Sequence, residues 1–229
     1  MRKAPFSTIH GRERWLSVAL RAVIFDYGMV LTGPPDPKAH AKLVHITGLS
    51  AEKLDELYWA DRRAFDEGKL TGEAYWREIV RRTGLTLRSS AIAELMQWDA
   101  RMWMTQNTAT IRWQGALKAR GFLTAVLSNV GDNVQQAMER ELAWLVSFDV
   151  RVWSYKLRMA KPDPAIYRYA LEKLGTIPAE TLFIDDRSVN VEAAAVLGMK
   201  ALVFTNVENL RNDLIARGLD KELPLPASA

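Results

Sequence analysis

The sequence predicts an α/β fold, a Rossmann-like parallel sheet with an all-helical cap inserted after its first strand. Three observations carry that prediction. Ala22-Val-Ile-Phe25 is a short, wholly apolar run that stops at Asp26 and Gly28, as a strand buried on both faces does before a turn. Roughly residues 34–105 show helical periodicity and no strand pattern. Beyond them, helical stretches of about 10–15 residues alternate with short apolar runs, which is the signature of βαβ units.

Taken in order, residues 1–20 read as an N-terminal extension. Residues 21–33 and 106–217 form the α/β core, 34–105 the cap and 218–229 a tail. After the first strand, Gly33-Pro34-Pro35-Asp36-Pro37 cannot continue a helix or a strand and serves as the exit linker. The cap then offers four helical segments. Pro37–Thr47 is the first. Ser50 opens the second, with Leu54, Leu57, Tyr58, Ala64 and Phe65 on one face. Tyr75, Trp76, Ile79 and Val80 mark the third, and Ile92, Leu95, Met96, Met102 and Trp103 the fourth. In the core, helices near 109–120, 134–145, 164–174, 189–197 and 208–217 flank strands at 122–128, 150–153, 181–184 and 200–204. The tail from Pro224 is expected to be disordered.

Composition limits the function classes. The formal charge is +4, and residues 1–22 account for all of it, with five basic side chains against Glu13. The rest of the chain balances, so no basic groove for nucleic acid is expected. The chain has no cysteine, which excludes a disulfide framework, a thiolate zinc site and a thiol nucleophile, and fits a reducing cytoplasm. Arg21 and Asp26 interrupt the apolar run from Trp15 to Leu31, so no membrane span is expected there. His10, His40 and His45 lack metal-ligand spacing and read as ordinary surface or packing residues. Eight tryptophans leave room for an exposed apolar patch and a homodimer.

The polar residues at strand ends point to a site, because ligands of open parallel sheets bind at the carboxyl ends of the strands. Asp26 ends the first strand, and Leu127-Ser128-Asn129 ends the second. Lys161-Pro162-Asp163-Pro164 places a lysine just before a helix, and Ile184-Asp185-Asp186 ends a later strand. Singly, each has a plain structural reading: Ser128 terminates a strand, Lys161 is solvated, and the Asp pair caps a helix. Jointly, they suit phosphoryl transfer to a carboxylate nucleophile. Asp26 would attack phosphorus and split one hard step into two. Asp26, Asp186 and the Gly28 carbonyl offer hard oxygen ligands suited to Mg²⁺. Ser128, Asn129 and the N–H groups around them would hold phosphoryl oxygens, with Lys161 adding positive charge.

Asp26-x-Gly-x-Val, Ser128-Asn129, Lys161-Pro162 and Asp185-Asp186 resemble, in order, the four motifs of the haloacid dehalogenase-like hydrolase superfamily. The helical insert after the first motif is similar to its C1-type cap. The resemblance implies that Asp26 is the nucleophile, Ser128 the phosphate-binding hydroxyl and Lys161 the charge stabiliser. It also implies that Asp186 ligates Mg²⁺ directly, that Asp185 ligates it or stands just behind, and that the cap selects the substrate. A small phosphorylated metabolite, a sugar phosphate among the candidates, is the expected partner. One position departs from the pattern. Most phosphatases of this superfamily carry a second Asp two residues after the nucleophile, and here that residue is Gly28, as in α-glucose-1-phosphate phosphatase-like proteins. General acid–base catalysis contributes about 10²–10⁴-fold, so leaving groups of low pKa should be favoured. Two rival readings remain: a metal-independent 2-haloacid dehalogenase on the same fold, against which the Asp185-Asp186 pair argues, and a weak homologue that binds a phospho-ligand or protein, which Gly28 favours. The turn at Glu67-Gly68 matches the place of a substrate-specificity loop, and Tyr58, Phe65, Tyr75 and Trp76 read as cap core.

Overall fold

The computed structural model describes residues 18–227; the expected extension lies outside them up to residue 17, His10 included. Five parallel strands form one sheet in the order β3-β2-β1-β4-β5, with β1 Ala22–Phe25, β2 Leu123–Ser128, β3 Val150–Trp153, β4 Thr181–Asp185 and β5 Lys200–Val203. β1 lies at the centre, and all four of its residues are fully buried. That is why the run is continuously apolar: Val23 and Phe25 face one layer of helices, Ala22 and Ile24 the other. The chain winds from β1 through β2 to β3 on one side, then crosses to β4 and β5 on the other. The reversal in strand order beside β1 leaves a crevice at the carboxyl edge, where Asp26 emerges.

Among the described residues, eleven α-helices surround the sheet and build the cap. The cap comprises α1 (Pro37–Thr47), α2 (Ala51–Ala60), α3 (Arg62–Asp66), α4 (Gly72–Arg82) and α5 (Ser89–Met102). The core adds α6 (Thr108–Ala119), α7 (Asp132–Glu141), α8 (Ser154–Leu157), α9 (Pro164–Leu174), α10 (Ser188–Val196) and α11 (Val207–Ala216). Helices α6, α7 and α11 cover one face of the sheet through Trp113, Val134 and Leu214, while α9 and α10 cover the other through Tyr167 and Ala194. The cap has a core of its own around Leu43, Tyr58, Phe65, Tyr75, Trp76 and Leu95. Thr32 and Gln106 pair where the chain leaves for the cap and returns, and Asn107 donates to the carbonyls of Leu31 and Val30.

Two local differences from the sequence reading have physical causes. The helix expected from Ser50 to Phe65 breaks at Asp61 (φ −113°, ψ 13°), which separates α3 from α2. Through the break, Arg62 and Phe65 turn inward and the Asp66 carbonyl accepts from Ser154 Oγ of the core. The tail is not disordered over its described residues. Leu219 and Leu223 are buried, Trp113 Nε1 donates to the Pro224 carbonyl at 2.6 Å, and Arg211 donates to that of Pro226 at 3.0 Å. Three leucines at 219, 223 and 225 give the segment an apolar edge to bury, which outweighs the freedom of a chain end. Among the described residues no helix is long and apolar enough to cross a membrane.

Candidate active site

The end of β1 sets the geometry. Asp26 is still extended (φ −66°, ψ 157°), then Tyr27–Leu31 folds into one wide turn closed by the Thr32 N–H on the Tyr27 carbonyl. Within it Met29 occupies the left-handed region (φ 59°), and its N–H donates to Thr32 Oγ1. Tyr27 Oη ties the turn to the Trp103 carbonyl at the cap's return. The turn leaves Asp26 Oδ1 accepting from the Tyr27 N–H at 2.7 Å and from Lys161 Nζ at 2.7 Å. Oδ2 has no hydrogen-bond partner among the described residues, and it borders the cleft beside Gly28.

Lys161 is buried, and all three ammonium protons are used: on Asp26 Oδ1, on Asp185 Oδ2 at 2.6 Å and on the Leu127 carbonyl at 2.8 Å. Burial opposes its charge, yet Asp185 and Asp26 outweigh burial and hold its pKa above the ordinary lysine value. Asn129 fixes the backbone beneath it, with Oδ1 accepting from the Lys161 N–H (2.8 Å) and Nδ2 donating to the Lys161 carbonyl (2.9 Å). The Asn129 side-chain amide is thus committed to placing the lysine, which leaves its backbone N–H as the group that could meet a phosphate. Ser128 Oγ lines the cleft with no partner of its own among the described residues, and it is not sealed off as a buried orphan.

The two adjacent carboxylates divide in the same way. Asp185 is fully buried; Oδ2 takes Lys161, and Oδ1 takes the Arg187 N–H and Asn190 Nδ2, both at 2.9 Å. Asp186 lines the cleft, and no other described residue hydrogen-bonds its carboxylate. Oxygen atoms from Asp26, Asp185 and Asp186 all fall within 4.8 Å of one another. Their crowding is costly. Burial above all, with the Asp185 and Asp186 charges, pushes the Asp26 carboxyl up to about 8 against the pull of Lys161. Burial and Asp185 also push Asp186 above the usual range. One lysine therefore under-neutralises three carboxylates, and a hard divalent cation bound by the free Asp26 and Asp186 oxygens would relieve the excess.

The cap closes the cleft from above, and here the sequence reading missed the contributors. Trp59, Arg62, Asp66 and Trp103 line it, with Met29 and Arg187 from the core, around about 150 Å³. Arg62 donates from Nε to Asp66 Oδ1 at 2.9 Å, from Nη1 to Tyr58 Oη, and lies over the Tyr58, Trp59, Phe65 and Trp103 rings. A signal existed: Tyr58, Arg62 and Phe65 share a helical face, and a charge on an apolar face usually has a buried partner. Tyr58, Phe65, Tyr75 and Trp76 are cap core, as expected. The Glu67-Gly68 turn does not line the cleft. Glu67 is ion-paired with Arg63 and Lys69, and a Cβ at Gly68 would strike the Tyr155 carbonyl, so that turn serves as a seam between cap and core. Gly72 and Gly131 make similar close approaches, to Asn133 and to the Phe65 ring.

A model of the haloacid dehalogenase-like hydrolase family matches residues 20–198. The chain belongs to that family. It is similar to (S)-2-haloacid dehalogenase 1 of Pseudomonas sp. (28% identical, over 82% of this chain and 86% of that protein). It is equally similar to a sesquiterpene phosphatase of Aspergillus oryzae (28%, over 83% and 93%). It also matches bifunctional epoxide hydrolase 2 of Sus scrofa at 26%, but spans only 38% of that longer protein. Among solved structures, a family enzyme from Bacteroides thetaiotaomicron, crystallised with magnesium and inorganic phosphate, superposes with a TM-score of 0.67 at 22% identity. The match covers 82% of this chain and 95% of that one. Hydrolases of this family thus include phosphatases and dehalogenases, and the likeness in fold does not choose between them.

Proposed function

We propose that this hydrolase is a Mg²⁺-dependent phosphatase that transfers a phosphoryl group from a small metabolite to Asp26 and then to water. The observation that carries the reading is the free Asp186 carboxylate beside the free Oδ2 of Asp26, backed by a fully committed Asp185–Lys161 pair. Displacing a halide from carbon needs no second acidic group; bringing a phosphate dianion to a carboxylate does. Asp26, Asp186 and the Gly28 carbonyl would hold the cation, which when bound offsets charge between nucleophile and phosphate. Lys161 and the Tyr27 N–H hold Oδ1, so that Oδ2 faces the cleft as the attacking atom. Ser128 Oγ, which lines the cleft without a partner of its own among the described residues, would donate to a phosphoryl oxygen. The N–H of Arg187 and the amide of Asn190 keep Asp185 in position under the lysine.

Two familiar named relatives frame the test, since a phosphatase and a 2-haloacid dehalogenase are equally similar in sequence. Phosphate release from p-nitrophenyl phosphate, measured with Mg²⁺ and with EDTA, should appear only with the metal. Phosphate release in EDTA would overturn the Mg²⁺ dependence, and halide freed from 2-chloropropionate with no phosphate released would favour the dehalogenase reading. Silence in both assays leaves the phospho-ligand-binding reading.

Gly28 gives a second test. Its φ of −62° does not require glycine, and a Cβ there would find its nearest atoms, Asp26 Oδ2 and Trp103 Cζ3, at 4.0 Å. Room therefore exists for the missing acid. Gly28→Asp is expected to raise turnover of alkyl phosphates, by up to about 10²-fold, and to change p-nitrophenyl phosphate turnover little. The ratio of the two rates measures it; equal changes would mean that departure of the leaving group does not limit the rate.

A further inference from the structure

The cap holds a second cavity, of about 340 Å³, between α1, α2 and the end of α5. Pro35, Pro37, Leu43, Leu54 and Met102 supply its apolar lining, and its polar fringe is His40, whose Nε2 lies 2.8 Å from Asp55 Oδ1. Trp59 and Trp103 line this cavity and also line the cleft over Asp26. The two indoles meet edge-on, with centroids 6.4 Å apart. They are held differently. Trp103 Nε1 donates to Tyr58 Oη at 3.1 Å, and its carbonyl accepts from Tyr27 Oη. Trp59 is 56% exposed and makes no hydrogen bond among the described residues. One side of the shared wall is therefore tied by hydrogen bonds, and the other is half open to solvent and held only by ring contacts to Tyr58, Arg62 and Trp103.

We propose that this cavity receives the apolar body of the substrate, so that the natural substrate is a phosphomonoester bearing a hydrocarbon or alkyl-aryl group. The inference rests on the phosphatase reading of the neighbouring cleft. With the phosphoryl group at Ser128 and Asp26, the ester oxygen leaves toward Met29, Trp59 and Trp103, and the carbons beyond it pass the Trp59 edge into the cap. The lining gains by taking such carbons out of water and offers few partners for a chain of hydroxyls. An aryl ester also suits Gly28, because a phenolate departs with less need of a proton.

A series of 4-n-alkylphenyl phosphates, methyl to hexyl, tests this, because the phenol's acidity scarcely changes along it. The expected kcat/KM rises about two- to fourfold per methylene until the cavity is full, mainly through KM. Leu54→Phe and Leu43→Phe fill the cavity and should bring the hexyl-to-methyl ratio toward one. Calorimetric binding of n-alkylphosphonates, which are not hydrolysed, gives a readout independent of turnover. A flat series in both readouts on an enzyme that does release phosphate overturns the cavity assignment alone. No turnover, with phosphonate affinity still rising with chain length and lost on filling, overturns the phosphatase reading alone. A chain-length effect untouched by both filling variants places the tail elsewhere and sinks the proposal. Should neither variant fold, the wild-type phosphonate series decides.

Discussion

Asp26→Asn is expected to end phosphate release, by a factor on the order of 10⁴ or more, while making the metal-free protein more stable at pH 8 than its parent. The first half follows from Oδ2, the oxygen left free to attack. The second half follows from what the site costs. Burial first, then Asp185 and Asp186, raise the Asp26 carboxyl from 3.8 to about 8, although Lys161 pulls it down. Between those values the folded protein holds a proton that the unfolded chain has released. The folded state binds more protons, so stability falls as pH rises from about 4 to about 8. Asparagine keeps an oxygen to accept from the Tyr27 N–H and Lys161 and loses the charge. Melting temperatures in EDTA should thus coincide near pH 4 and diverge toward pH 8 in favour of the variant. Added Mg²⁺ should narrow the gap by stabilising the wild type. Turnover above about 1% of wild type in Asp26→Asn would assign the attack to another group.

Lys161→Met should do the opposite to stability. The lysine is the shared partner of two buried carboxylates, with its side chain 1% exposed. Methionine fills a similar volume but leaves the buried Asp185 without its counter-charge and Asp26, protonated in the metal-free protein below about pH 8, without its partner. Breaking a buried ion pair by removing one member costs about 3–5 kcal/mol, or on the order of 10 °C in Tm for a chain of this length. Urea unfolding measures it. Adding Asp185→Asn to Lys161→Met removes the stranded charge and should restore part of the loss. A loss below about 1 kcal/mol in Lys161→Met would mean that the carboxylates find other compensation. Activity should vanish in both variants, so stability and turnover separate the two jobs of this side chain.

The contrast between the two substitutions explains why part of the site was legible and part was not. A parallel sheet sends every strand's carboxyl end to one edge, and an abrupt polar residue after an apolar run marks that end. Asp26, Ser128 and Asp185-Asp186 could therefore be placed on one rim from local pattern alone. Their division of labour could not. That Asp185 holds Lys161 while Asp186 stays free, and that Asn129 clamps the lysine's backbone, depends on which oxygen meets which proton across 24 to 135 residues of chain.

The sequence by itself determined the sheet, the helical insert and the residues along the carboxyl edge, because hydrophobic period and strand termination are local properties. Only the tertiary structure decided what lies above that edge. Gly68, Gly72 and Gly131 let the cap approach the core more closely than a Cβ would allow, and Ser154 Oγ pins the Asp66 carbonyl. That docking, rather than any periodicity, brings Trp59, Arg62, Asp66 and Trp103 over Asp26 and leaves a second apolar cavity behind them. The tail followed the same rule. Its place at the chain's end argued for disorder, but Leu219, Leu223 and Leu225 found an apolar surface that only the assembled helices provide. Orientation between units is set by contacts between distant residues, and no short window of sequence contains them.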